Sequence, residues 1–293
     1  MSPADIKNIR IDHVDLKDKI RLDVMRLDLI HPIISGNKWF KLKEYLREAK
    51  VLDKKTIVTW GGAYSNHIVA TALAAREQGF KSIGLVRGEA PANLSPSLQD
   101  AMAYGMELHF LHRQEYQQKH LPPAIHPNNE YYLIEEGGYG IQGAEGAGDI
   151  LKDINTDQYT HYICAVGTGT TLAGISKRAE YQKTIGISVF KNNLSLQKEV
   201  EDLLRPEEKS RFLLVHDYHF GGYAKTNQAL FQFMNDWFIK TRIPSDMVYT
   251  GKLFYAVNDL IQKQFFPPQS KLLVIHSGGL QGNRSLPKGT LIF

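Results

Sequence analysis

The residues best suited to chemistry are few, and a lysine stands first among them. Lys38 follows Ser35-Gly36-Asn37 and precedes Trp39-Phe40-Lys41-Leu42-Lys43. A flexible turn that hands a lysine to the start of a helix sets its ammonium against the positive end of the macrodipole, which lowers its pKa. A neutral amine is what a Schiff base to a carbonyl cofactor requires. The competing reading is a solvated lysine on a basic helix start shared with Lys41 and Lys43, because lysines are usually exposed.

Four further segments could share a site. Trp60-Gly61-Gly62-Ala63-Tyr64-Ser65-Asn66-His67 runs from a strand into a helix, where backbone amides can hold an anion while Ser65 and Asn66 offer a hydroxyl and an amide. Alternatively Ser65 is only a helix cap. Val166-Gly167-Thr168-Gly169-Thr170-Thr171 follows another strand and has the make-up of a phosphate cup at a helix start. Its spacing is neither the dinucleotide fingerprint nor a Walker loop. Val248-Tyr249-Thr250-Gly251-Lys252 offers a ring and a hydroxyl, and His276-Ser277-Gly278-Gly279 ends an apolar run. His276 reads as either a base or a satisfied core histidine, and Tyr249 as either a site ring or packing. No paired cysteines or His-Glu-x-x-His pattern suggests a metal.

These segments need a frame. Short β-branched runs at 56–60, 82–86, 107–111, 162–166, 184–190, 212–215 and 272–275 alternate with helical patterns such as 65–78, 226–240 and 252–263. Strands separated by helices predict βαβ units and largely parallel sheets. Ligands of such sheets bind beyond the carboxyl ends of the strands. The Pro- and His-containing stretch 118–129 reads as a loop at a domain crossover.

The chain has 293 residues, 43% hydrophobic and 23% charged, which fits a folded α/β protein and excludes a disordered one. Its net charge of +4 lacks the strongly basic footprint of a nucleic-acid binder. The lone Cys164 excludes an internal disulfide and suits a reducing compartment. The charged start and the short apolar runs predict neither a signal peptide nor a membrane span, so a cytoplasmic protein is expected.

In order, Ser35-Gly-Asn-Lys38, Gly61-Gly-x-x-Ser-Asn66, the cup at 167–171, Tyr249-x-Gly-Lys252 and His276-x-Gly-Gly279 resemble the fold-type-II pyridoxal-phosphate enzymes. The nearest resemblance is to the 1-aminocyclopropane-1-carboxylate deaminase and D-cysteine desulfhydrase family, over most of the chain. It implies two domains, each an open, mostly parallel twisted sheet flanked by helices. Residues 1–42 and 134–293 would form the larger, cofactor-binding domain and 43–133 the smaller, with pyridoxal phosphate in the crevice between them and a homodimer as the assembly.

Carried over, the resemblance makes Lys38 the cofactor-bearing lysine, Ser65 and His67 substrate contacts, and Asn66 a partner of the cofactor's ring hydroxyl. Gly167, Thr168, Gly169, Thr170 and Thr171 would hold the phosphate. Tyr223, in Gly221-Gly222-Tyr223, and Tyr249 match two active-site tyrosines, with Tyr249 against the cofactor ring. The deaminases carry Glu at the position of Thr250, beside the pyridine nitrogen, whereas the desulfhydrases carry Thr. Ser277 is likewise closer to the desulfhydrase Thr. A neutral group there leaves a weaker electron sink, adequate for losing a good leaving group from Cβ. The resemblance therefore implies α,β-elimination on a small amino acid, D-cysteine first. The alternatives are the cyclopropane-carboxylate deaminase and, given the divergent segment 87–111, a non-catalytic or regulatory binder of the cofactor.

Overall fold

The computed structural model describes residues 9–16, 19–123, 125 and 130–293. Ten strands are described: β1 Ile11–Val14, β2 Arg21–Arg26, β3 Thr56–Gly61, β4 Lys81–Arg87, β5 Met106–Leu111, β6 Tyr131–Ile134, β7 His161–Val166, β8 Lys183–Ser188, β9 Phe212–Val215 and β10 Lys271–His276. They form a six-stranded sheet in the order β1-β2-β10-β7-β8-β9 and a four-stranded sheet in the order β5-β4-β3-β6. Every pairing is parallel except β1 with β2 at the edge of the larger sheet. The helices are α1 Asn37–Val51, α2 Asn66–Glu77, α3 Pro96–Ala103, α4 Arg113–Gln117, α5 Ile141–Gly148, α6 Thr170–Arg178, α7 Leu196–Glu201, α8 Gln228–Thr241 and α9 Thr250–Gln262.

The central strands are apolar on both faces, as helices packed on each side of a parallel sheet demand. Five of the six residues of β7 are buried, and all six of β3. One face of the larger sheet packs Trp237, Leu253, Phe254 and Val257 of α8 and α9 against Val24, Ile163 and Val274. On the other face, Met25, Cys164 and Leu273 share one core with α1, α5 and α6. That core extends to Ile57, Ala70 and Ile134 of the four-stranded side, so α1 is a wedge between the sheets. On the smaller sheet, Val58, Trp60 and Leu85 pack with Tyr116, while Val86 and Met106 pack with Ile68 and Leu98 of α2 and α3.

Sequence patterns locate the interior strands but miss β1, β2 and β6. β1 and β6 have just four residues, and β1 and β2 alternate with charges. Residues 124 and 126–129 of the expected crossover loop lie outside the described residues. The four-stranded sheet continues past that stretch to β6 before the chain enters α5. Among the described residues, no helix is long and apolar enough to cross a membrane, and no group of three His, Cys, Asp or Glu could hold a metal.

Candidate active site

A cavity of about 620 Å³ lies where the carboxyl ends of the strands face each other, lined from α1, the β3–α2 turn, the β7–α6 turn and the loops before α9 and after β10. Its first wall is the turn into α1. Gly36 has φ +67°, and a Cβ there would fall 1.8 Å from the carbonyl oxygen of Ser277. Only glycine meets both demands, so the Ser35–Lys38 turn docks directly on the end of β10. The backbone N–H of Asn37 donates to that Ser277 oxygen.

Lys38 therefore opens α1 inside the cavity. Burial pulls its amine down to about 8 despite the opposing charge of Asp246. Its Nζ donates to Oδ1 of Asn37 at 3.0 Å, and Nδ2 of Asn37 donates to Oγ1 of Thr171 at 2.7 Å. The lysine is thus tied to the cup on α6. Lys41, one turn on, is also buried and not the surface lysine that its basic surroundings suggest. Its Nζ donates to the Gly137 carbonyl at 2.8 Å, and burial followed by the charge of Lys38 holds its pKa well below the usual lysine range.

The cup is the N-terminus of α6. Gly169, at φ +80°, precedes the helix, and Thr168 and Thr170 join their hydroxyls at 3.0 Å. The first amides of a helix lack intrahelical partners and favour negative charge. Gly167 lets Tyr249 approach: a Cβ at 167 would stand 3.3 Å from Cε1 of that ring. Tyr249 meets Tyr223 edge-on at 6.1 Å between centroids, and Tyr223 stacks on Phe190 at 5.2 Å. Burial raises both phenols, which stay protonated at neutral pH.

Across the cavity, Ser65 is the N-cap of α2, accepting from the Ile68 amide at 3.3 Å, and it also lines the cavity. Asn66 and His67 line it too. Thr59 gives its hydroxyl proton to the Ile134 carbonyl, so Nε2–H of His67 donates to Thr59 at 2.9 Å and leaves Nδ1 an acceptor. Burial, then the charges of Lys38 and Lys41, keeps this imidazole neutral. Among the described residues, neither Asn66 Oδ1 nor His67 Nδ1, both buried, has a hydrogen-bond partner.

Of the expected site residues, only Thr250 does not line the cavity. Its hydroxyl is fully buried, donates to Oδ1 of Asp246 at 2.8 Å and accepts from the Asp246 amide at 2.7 Å. Asp246 also accepts from the amides of Val248, Tyr249 and Thr250, and so fastens the start of α9. His276 is a satisfied core residue: Nε2 donates to the Pro244 carbonyl and Nδ1 accepts from the Gly278 amide. Lys41 was legible three residues after Lys38, on the same face of one helix. Asp246, Arg87 and Glu136 carried no local signal.

The donor set fits a phosphorylated aldehyde. A depressed lysine amine suits the aldehyde. A buried lysine, Lys41, with no carboxylate partner among the described residues, together with a helix N-terminus in the same cavity, suits a dianion. The unmet acceptor on Asn66 suits a hydroxyl. Two facing, largely parallel sheets with this lysine and this cup between them define a fold-type-II pyridoxal-phosphate enzyme.

Comparison with known proteins agrees. A family model described as pyridoxal-phosphate dependent enzyme matches residues 24–278, and the chain belongs to that family. A Pyrococcus furiosus protein named provisionally as a 1-aminocyclopropane-1-carboxylate deaminase is 29% identical over 283 residues, covering 88% of this chain and 84% of that one. The bifunctional mitochondrial D-cysteine desulfhydrase/1-aminocyclopropane-1-carboxylate deaminase of Arabidopsis thaliana is 28% identical, covering 91% and 74%. The crystal structure of a deaminase homologue superposes with a TM-score of 0.82 at 26% identity, covering 94% of this chain and 90% of that one.

Proposed function

We propose that this chain catalyses α,β-elimination on a small amino acid, D-cysteine foremost, which with water yields pyruvate, sulfide and ammonia. The observation that carries the reading is the chain Lys38–Asn37–Thr171, which joins an amine of pKa about 8 to the Gly-Thr cup. Lys38 would hold the cofactor's aldehyde, the amides of 167–171 and Lys41 its phosphate, and Asn66 its ring hydroxyl. Tyr249 would lie against the ring. Bound pyridoxal phosphate supplies a sink for the electrons released at the substrate's Cα.

The protein's own residues do the rest. Lys38 Nζ, free once substrate is seated, takes the Cα proton. The Ser65 hydroxyl and the amides that open α2 hold the α-carboxylate, next to the neutral His67. Tyr223, a protonated phenol at the cavity wall, donates a hydrogen bond toward the Cβ substituent as its bond breaks. Thr250 would act on the ring's electronics by holding Asp246 in place, and it adds no charge of its own. Residues 43–133 would serve as the smaller domain beside this crevice. A homodimer and a cytoplasmic location belong to the same proposal.

The names of the relatives favour a second reading, ring opening of 1-aminocyclopropane-1-carboxylate to 2-oxobutyrate. One experiment separates the two. The visible spectrum of the holoprotein is followed with each substrate, and the keto acid is identified. Pyruvate from D-cysteine supports elimination. 2-Oxobutyrate from the cyclopropane acid, with no pyruvate from D-cysteine, overturns it.

A further inference from the structure

The cavity adjoins a second recess of about 500 Å³, lined by Arg87, Arg113, Tyr116, Gln117, Lys119 and Glu136. Arg87 and Glu136 line both spaces. The recess sits at the carboxyl edge of the four-stranded sheet: Arg87 ends β4, Arg113 opens α4 after β5, and Glu136 follows β6. That edge is where open parallel sheets receive ligands.

Its charges are not balanced. Lys119 attends to the acids, at 3.4 Å from Glu135 and 3.9 Å from Glu136. Among the described residues, neither Arg87 nor Arg113 has a carboxylate within 4.0 Å. The Arg87 guanidinium is steadied 5.9 Å from the centroid of Tyr116. Gly62, on the turn that leads to Ser65, is its neighbour: a Cβ there would stand at ordinary contact distance, 3.7 Å from Nη2. The charge of Arg87 also reaches Tyr223 across the cavity.

An unpaired guanidinium is a fork for two anionic oxygens. The α-carboxylate already has donors at the start of α2, so this fork is surplus to a plain amino acid. We propose that Arg87, with Arg113 behind it, is a specificity determinant. It accepts an anionic oxygen group, carboxylate or phosphate, at the far end of the substrate's side chain. The inference rests on the cavity being an amino-acid site, and it widens the substrate class from D-cysteine, whose side chain carries no oxygen anion, to amino acids whose side chain ends in one.

The test is binding to the holoprotein, read by its visible spectrum and by calorimetry. Glutamate is compared with glutamine, and phosphoserine with serine, each as both enantiomers. The acidic member of at least one pair should bind about tenfold or more tightly, as a charge-assisted pair allows. Arg87→Gln should abolish that preference while leaving the neutral partner's affinity within about twofold. The pair that shows the preference identifies the group as carboxylate or phosphate. Equal weakening of both members would assign Arg87 to the α-carboxylate and overturn the proposal. So would no preference in the parent protein, no binding of either pair, or a preference that survives Arg87→Gln. Arg87 is exposed, so Arg87→Gln leaves the core untouched. The elimination reading fails separately, in the D-cysteine assay, and the charge preference can stand without it.

Discussion

Asn37 Nδ2 donates to Oγ1 of Thr171 at 2.7 Å, across 134 residues of sequence. The same amide accepts from Lys38 Nζ through Oδ1. One side chain thus sets the distance between the reactive amine and the anion cup. Asn37→Ala removes both bonds and leaves the Thr171 hydroxyl without its donor. Turnover of D-cysteine should fall roughly 10- to 100-fold, as the loss of a positioning contact near the reacting atoms commonly costs. Unchanged kcat with unchanged cofactor affinity would mean that this link positions nothing.

Lys38→Ala removes the covalent anchor and the base together. Activity should drop by more than the roughly 10²–10⁴-fold that one acid–base group contributes. Borohydride reduction of the wild-type holoprotein should fix the cofactor to the peptide containing Lys38, as read by mass spectrometry. A reduced adduct on another lysine would remove Lys38 from its role.

The amine of Lys38 is drawn down by burial to about 8. Below that pH it is an ammonium and cannot attack an aldehyde. Above it, the neutral form predominates. The rate of cofactor attachment to apoprotein should therefore climb as pH rises through about 8 and then level off. Stopped-flow absorbance gives the profile. A climb near the ordinary lysine value of 10.5 would show that the amine is not desolvated.

Lys41 is buried, its one hydrogen-bond partner among the described residues is the Gly137 carbonyl, and an anion is what its charge lacks. Lys41→Met should weaken pyridoxal phosphate about 10- to 100-fold, since a hydrogen bond to a charged group is worth roughly 1.5–3 kcal/mol. Pyridoxal without the phosphate should bind the variant as it binds the parent. Equal losses for both ligands would place Lys41 elsewhere in the chemistry.

Thr250 is walled off and bonded to Asp246 in both directions. Thr250→Glu, the deaminase residue, would bury a second carboxylate against the first. An uncompensated buried charge costs about 3–5 kcal/mol, so the melting temperature should fall sharply. Thr250→Ser keeps the hydroxyl and loses one methyl, which costs about 0.8 kcal/mol. If Thr250→Glu melts with the parent and gains deaminase activity, residue 250 reaches the cavity after all.

Residue types in order were enough to nominate the lysine, the serine–asparagine turn, the Gly-Thr cup and Tyr249, because glycines and helix starts after buried strands are local features; Tyr223 came only from the family resemblance. The alternating strands likewise announced a parallel α/β fold. Tertiary packing settled everything that depends on distant partners. It buried Lys41, turned Thr250 toward Asp246, and made His276 a structural donor to Pro244. It also set Arg87 beside Glu136 at the rim of two adjoining spaces. Desolvation and charge pairing act through space, and a string of residues holds no record of which neighbours it will meet.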